Sequence, residues 1–382
     1  MTVMLRLFSD SEHTDRMKKK SRHKKIRVAI LYGGQSAEHE VSIVSAQNIY
    51  AALDKKKYAV SLIGITKEGR WYLQDDILAL EDSGRVQRAC RATNIALILS
   101  RQGPVIHSDT AVNCREFDVV FPVLHGPFGE DGTVQGLLKL AGIPFVGSGV
   151  LGSAVGMDKD VMKRLLREAH IPVARSLTVE SHNRSRISFA KVKQALGMPV
   201  FVKPANLGSS VGISKARDKK EFETALTKAF AFDTKVLIEE YIDGREIECG
   251  VLGNEHPEAS IPGEIIPDTA KHDFYSYEAK YTDANGAVLV IPAKLTKAEV
   301  KKVRSLALQI FAVLGCEGMA RVDFFLKKDG SLLVNEINTI PGFTTISMYP
   351  KLWEASGIPY GELIDRLIAL AIERFKKESH LK

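Results

Sequence analysis

Arg321, Asp323, Glu336 and Asn338 could together hold a cation and an anion, and they fall within one short stretch, MARVDFFLKKDGSLLVNEIN, at positions 319–338. The stretch is two strand-like runs around Asp329-Gly330, a pair that favours a two-residue hairpin turn because primed turns need positive φ. With those two residues as the loop, Lys328 faces Ser331, Asp323 faces Glu336 and Arg321 faces Asn338. All four polar residues then share one face. Two carboxylates directly across a ladder repel, and at ~5 Å with an effective dielectric of ~20 the cost is about 3 kcal/mol. A divalent cation between them reverses the sign. An all-oxygen set of Asp, Glu and Asn suits Mg²⁺, with Mn²⁺ as the alternative, completed by water and substrate phosphate. Either carboxylate alone would read as a solvated hairpin position, and a three-residue turn would carry Glu336 to the opposite face.

Phosphate chemistry has its own candidates. Lys203 ends the apolar run 198–202 and is followed by a small-residue loop, 206–212, containing Ser209 and rich in amide and hydroxyl donors. The lysine precedes the glycines and GxxxxGK[ST] is absent, which points to a flap closing over a nucleotide rather than a Walker loop. Loop 124–132, LHGPFGEDG, carries too many glycines and charges for a buried crossover and reads as functional around His125. Glu38 stands at the start of a helical pattern, where a carboxylate could simply complement the helix dipole. Lys159 follows an Asp158 cap and alone would be a helix-surface lysine. Glu239 and Glu246 flank a turn and alone would be surface acids.

These motifs, in their order, carry a resemblance. Arg321-Val322-Asp323, Asn335-Glu336-Ile337-Asn338 and Pro341-Gly342 resemble the metal-binding end of an ATP-grasp ligase, and from position 27 onward the chain is similar to the D-alanine–D-alanine ligases. The resemblance implies an α/β architecture, an ATP-grasp fold preceded by a Rossmann-like parallel α/β N-terminal domain. It implies ligation of two D-alanines with ATP cleaved to ADP and phosphate, for peptidoglycan precursor synthesis. Glu38 would hold the ammonium of the first D-alanine, with His125 in the same substrate site. Lys159, Lys203 and Ser209 would meet nucleotide phosphates, Glu239 and Ile242 would bind adenine through their backbone, and Glu246 would bind ribose. The stretch 274–281, FYSYEAKY, resembles the mobile ω-loop, in which Lys280 would reach the γ-phosphate and Tyr281 would reach Ser209 and hold Glu38 in place. Arg321 and the Gly342 amide would stabilise an oxyanion, Ser347 would hold the second substrate's carboxylate, and Met348 follows it in the same segment. Tyr281 further implies a dipeptide rather than D-alanyl-D-lactate, because relatives making the ester tend to lack it. The family also implies a homodimer. Two other readings remain: a carboxylate–amine ligase taking D-lactate or D-serine, and a non-catalytic nucleotide-binding sensor.

The elements that must position these residues divide the 382-residue chain into a basic tail (1–24), an N-terminal α/β domain (25–147), a central ATP-grasp subdomain (148–240) and a C-terminal one (241–382) with the metal site and ω-loop. Apolar runs at 26–32, 58–66 and 118–124 predict buried parallel strands, with helices after the first and third. There is no GxGxxG at the first turn, which removes support for dinucleotide binding. Thr296 with Glu299 predicts a capping box before a long amphipathic helix. The first 25 residues hold eight Lys or Arg against three acids, which is most of the net +7. The basicity therefore belongs to a solvated arm and not to a nucleic-acid-binding face. Folding signals begin near Ile26, making Met17 a candidate start that mass spectrometry of the native N-terminus would test. No run of about 18 apolar residues predicts a membrane span, no signal-peptide core is present, and four scattered cysteines without metal spacing read as reduced thiols of a cytoplasmic protein.

Overall fold

The computed structural model describes residues 24–74, 93–100, 103–108, 117–267 and 286–381; the basic tail, Cys90, Cys114 and the aromatic stretch with Lys280 and Tyr281 lie outside them. Three sheets follow one another along the chain. The first comprises β1 (Ile26–Gly33), which leads into helix α1 (His39–Ala52), then β2 (Tyr58–Ile65), β3 (Trp71–Gln74), β4 (Thr93–Ser100), β5 (Gly103–Ser108) and β6 (Val119–Val123). As the apolar runs predict, β1 lies between β2 and β6 with both pairings parallel. The sheet is mixed rather than wholly parallel, because β3, β4 and β5 extend it as an antiparallel meander from the β2 edge. Along β1, alternate side chains enter different cores. Val28, Ile30 and Tyr32 pack with Ile43, Ala46 and Ile49 of α1, while Ala29 and Leu31 pack with Val134 and Leu138 of α2 (Thr133–Leu140).

Helices α3 (Val150–Met157) and α4 (Lys159–Glu168) lead to a second, antiparallel sheet. It contains β7 (Ser176–Glu180), β8 (Val200–Pro204), β9 (Ser214–Ala216) and β10 (Lys235–Glu240) in the order β7-β10-β8-β9. One face is covered by α5 (Phe189–Leu196) and α6 (Lys219–Phe230). The third sheet uses β11 (Gly244–Gly253), β12 (Glu258–Ala259), β13 (Gly263–Pro267), β14 (Ala287–Val290), β15 (Gly318–Lys327) and β16 (Leu332–Asn338). Its order is β14-β13-β11-β15-β16, with β12 paired to β11. Helix α7 (Lys297–Val313) begins with the predicted capping box of Thr296 and Glu299 and, with α4, covers one face.

That covering decides where the chemistry sits. Ile247, Cys249 and Val251 of β11, Val322 and Phe324 of β15, and Val334 and Ile337 of β16 enter the core under α4 and α7. By alternation, Glu246, Glu248, Arg321 and Asp323 are left on the opposite, open face. The chain ends in α8 (Met348–Ala355) and α9 (Tyr360–Ser379), which return to the first sheet. Tyr349, Trp353, Leu363, Ile364 and Leu367 share a core with Val28, Ile30 and α1. Among the described residues, no helix is long and apolar enough to cross a membrane.

Candidate active site

The β15–β16 hairpin reaches the expected register by an unexpected route. Lys327 N–H donates to Ser331 O at 2.9 Å and Gly330 N–H to Lys327 O at 2.9 Å, so the loop holds Lys328, Asp329 and Gly330 rather than two residues. Asp329-Gly330 does not form the expected two-residue turn: only Gly330 takes positive φ, +77°, whereas type I′ needs it at both central positions and type II′ at the first. Alone, the third loop residue would send Glu336 to the wrong face. The ladder, however, pairs Leu326 with Leu332 and Phe324 with Val334, skips Asn335, and resumes with Asp323 opposite Glu336 and Arg321 opposite Asn338. The bulge cancels the extra loop residue.

Arg321 lies in a carboxylate clamp. Its Nε and Nη2 donate to both oxygens of Asp323 at 2.8 and 2.7 Å, and its Nε also lies 2.8 Å from Glu248 Oε2. Burial opposes the charge of Arg321, but Asp323 and Glu248 outweigh it and hold its pKa well above the usual value. Asn338 Nδ2 donates to Asp323 at 3.0 Å, and Glu336 pairs with Lys159 at 3.3 Å. Among the described residues, no three His, Cys, Asp or Glu form a closed metal cage. The two carboxylates and one amide on this face instead fit an ion such as Mg²⁺, which keeps water and takes substrate phosphate.

A cleft of about 440 Å³, within the range of small-molecule sites, lies between the second and third sheets. Lys159, Lys203, Glu239, Ile242, Glu246, Glu248, Asp323 and Glu336 line it. Lys203 and Glu239 are diagonal neighbours across the β8–β10 ladder, and the Glu239 carboxylate lies between Lys203 and Lys163, the latter at 2.5 Å. Burial disfavours charge on Glu239, yet the Lys163 and Lys203 charges prevail and hold its pKa below the ordinary range. Lys203 is thereby held at the cleft wall, where it and Lys159 are the cationic donors suited to phosphate. Lys159 donates to Leu207 O at 2.6 Å and so ties α4 to the small-residue loop. Ile242 lies just beyond the end of β10.

The cleft continues into a smaller cavity of about 90 Å³, and Glu248, Ile265 and Glu336 line both. Glu38, His125, Ser209, Arg321, Asn338, Gly342, Ser347 and Met348 meet there. Glu38 occupies the N-cap position of α1, but its carboxylate makes no cap hydrogen bond; it accepts from the Ser209 hydroxyl. Glu38 thus stands where the helix dipole favours a carboxylate, but its hydrogen bond goes to Ser209 and not to a first-turn amide. Gly126 and Gly208 make room for it, since a Cβ on either would lie 2.9 or 3.0 Å from Glu38 Oε2. Ser347 stands at the N-cap of α8, where first-turn amides favour a carboxylate. A Cβ on Gly342 would lie 2.7 Å from Ser347 Oγ, so the loop backbone passes close to that hydroxyl.

Sequence reasoning gave no role of their own to several residues around these cavities, among them Glu248, Lys163 and Asn335. Glu248 is two positions from Glu246 and so shares its strand face, Lys163 is one helical turn from Lys159, and Asn335 is the bulge itself. The first two signals were readable; the bulge has no local sequence mark.

Family models described as D-ala D-ala ligase N-terminus and C-terminus match residues 27–148 and 165–369. The D-alanine–D-alanine ligase of Oceanobacillus iheyensis is 51% identical over 94% of this chain and 98% of its own. D-alanine–D-alanine ligase A of Escherichia coli is 49% identical over 94% and 99%. Among solved structures, the D-alanine–D-alanine ligase from Coxiella burnetii has a TM-score of 0.81 at 39% identity, covering 93% of this chain and 96% of that one. The VanG D-Ala:D-Ser ligase from Enterococcus faecalis has a TM-score of 0.80 at 36% identity, covering 91% and 100%.

Proposed function

The chain belongs to the D-alanine–D-alanine ligase family, with its ATP-grasp fold, and from that premise we propose how its residues join two D-alanines to D-alanyl-D-alanine with ADP formed from ATP, for peptidoglycan synthesis. A carboxylate is a poor acyl donor at neutral pH, so phosphorylating it supplies a leaving group and divides one hard step into two. The nucleotide lies in the larger cleft, with adenine on the backbone of Glu239 and Ile242, ribose on Glu246, and phosphates on Lys159, Lys203 and Ser209. Asp323, Glu336 and Asn338 would hold Mg²⁺, which would supply charge neutralisation to the transferring phosphate. Glu38 takes the ammonium of the first D-alanine beside His125. Ser347 and the start of α8 at Met348 take the carboxylate of the second, whose amine attacks the acyl phosphate. Arg321 and the Gly342 amide are the donors aimed at the resulting oxyanion. Lys280 and Tyr281, outside the described residues, keep the γ-phosphate and Glu38–Ser209 roles that the resemblance implies.

One juxtaposition carries this reading. Glu38 from the first domain meets Ser209 from the nucleotide flap in a cavity that also contains Arg321 and Asn338 and opens into the lysine-lined cleft. ATP consumption fits a cytoplasmic enzyme, and exposed leucines on α2 and α3 fit a homodimer. The test is phosphate release from ATP with D-alanine, D-serine and D-lactate as acceptors near neutral pH. D-Alanine should be the preferred acceptor. Preferential ester or D-alanyl-D-serine formation would overturn the acceptor assignment, and ATP binding without D-alanine-dependent phosphate release would favour the sensor.

A further inference from the structure

The Pro341-Gly342 pair is held from both ends by side chains of the first domain. On the N-terminal side, Ile340 N–H donates to Glu130 Oε1 at 3.1 Å, and Ile340 O lies 3.0 Å from His125 Nδ1. On the C-terminal side, Phe343 N–H donates to Ser45 Oγ at 3.2 Å, and Phe343 O accepts from Asn48 Nδ2 at 3.2 Å and from the Tyr360 hydroxyl at 2.9 Å. Ser45 Oγ lies 3.3 Å from His125 Nε2, which joins the two sides.

The chemistry fixes the direction of each bond. A carbonyl only accepts, so the proton of His125 is on Nδ1. Burial lowers the pKa of His125 and keeps the ring neutral, so Nε2 is an acceptor and the Ser45 hydroxyl donates to it. A continuous relay results, from Phe343 N–H through Ser45 and His125 to Ile340 O, beginning and ending on one loop. Glu130 adds a second brace, since its other oxygen accepts Gly126 N–H at 2.8 Å. The Phe343 ring is buried among Phe121, Tyr349 and Tyr360, with centroids 6.0, 5.8 and 6.2 Å away. Two residues lie between these anchors, and one is Gly342.

We propose that Ser45, His125 and Glu130 are positioning residues that hold the Gly342 amide in place by bracing the main chain on both sides of it, so that the first domain builds part of the oxyanion site. This rests on the reading of Gly342 as an oxyanion donor. A preorganised donor loses value steeply when displaced, and misplacement by about 1 Å can cost on the order of 10²-fold in rate.

The test compares kcat and KM of Ser45→Ala and Glu130→Gln, with Gly342→Pro, which removes the amide N–H itself, as the probe of the underlying reading. Even protonated, Glu130 keeps a lone pair on each oxygen for its two backbone N–H donors, whereas the amide nitrogen of Gln accepts nothing, so the variant must release one of them. Both brace variants should lose about tenfold in kcat with KM for ATP changed less than about twofold. Tyr360→Phe keeps the aromatic packing and removes a single hydroxyl; it should show a smaller loss of the same kind even if a brace variant fails to fold. Folded brace variants and Tyr360→Phe at full kcat, while Gly342→Pro is impaired, would overturn the brace alone. Full turnover in Gly342→Pro would remove the oxyanion reading and the proposal with it. A rise in KM for ATP at unchanged kcat would also overturn the proposal, because it would mark a role in ground-state binding.

Discussion

Arg321 is the residue on which burial, charge and catalysis converge. Its guanidinium neutralises Asp323 and Glu248 at 2.7–2.8 Å on a face otherwise crowded with acids. Arg321→Ala should lower kcat roughly 10²- to 10³-fold by removing an oxyanion donor. It should also lower stability, because removing one partner of a buried pair leaves uncompensated charge. Arg321→Lys separates the two losses: it should keep most of the melting temperature, yet fall far short of wild-type kcat because an ammonium lacks the planar fork. Full turnover of Arg321→Ala at saturating substrates would contradict the assignment. Glu130 makes a prediction in pH. Burial, assisted by the charge of Glu38, raises its pKa from 4.5 to about 8. Between those values the unfolded chain has released this proton while the folded chain retains it, so this residue's contribution to stability is full below about 4.5 and is lost as pH rises through about 8. Melting temperatures of wild type and Glu130→Gln across that window should converge as pH rises, and a constant difference would refute the shift. At this scale, residues with a motif around them, such as Glu38 and Lys203, were legible in the sequence. Glu130 lay unmarked within a loop already noted, and although Glu248 shares the strand face of Glu246, its place beside Arg321 depends on the β11–β15 pairing between segments far apart in the chain.

The β15–β16 hairpin shows how two local departures combine into one correct register. A turn read as two residues holds three, and the bulge at Asn335 restores the facing of Asp323 with Glu336. Both carboxylates therefore depend on one inserted residue. Deleting Asn335 should move Glu336 and Asn338 to the covered face, since a one-residue slip reverses every side chain beyond it. Mg²⁺-dependent nucleotide binding, followed by calorimetry, should weaken by at least about tenfold, on the order of 1.4 kcal/mol. Unchanged binding would mean that these side chains do not need their present register. Period and capping made most elements readable: the parallel strands of the first sheet, the Asp158 cap of α4 and the capping box of α7 all follow local rules. The meander β3–β5 and the bulge were not readable, because edge pairing and bulge placement are decided by tertiary neighbours and not by the segment's own pattern.

At the scale of the molecule, the first and last described elements meet. Helices α8 and α9 bury their apolar faces against β1 and α1, so the loop leading to α8 is anchored on the domain that supplies Glu38. The amphipathic period of α9 predicts that it buries a face, but period alone does not name the surface that receives it. A different apolar surface stays uncovered. Leu140 on α2 and Leu151 on α3 are 81% and 69% exposed, and these two helices pack against each other. Leu137 and Val150 on the same helices are also exposed. Scattered exposed leucines need no explanation, but a group on adjacent helices suits an interface, and the second copy implied by the family is the simplest occupant. Because α2 and α3 contribute no residue to the cavities described above, an interface on them is expected to support stability rather than catalysis. Sedimentation at micromolar concentration should therefore give the mass of two chains for the wild type and of one chain for the Leu140→Asp, Leu151→Asp double variant. The variant's turnover per chain should stay within about threefold of wild type, a change in barrier of less than about 0.7 kcal/mol. A wild type that sediments as a single chain would end the homodimer reading, and a double variant that remains paired would move the interface to another surface.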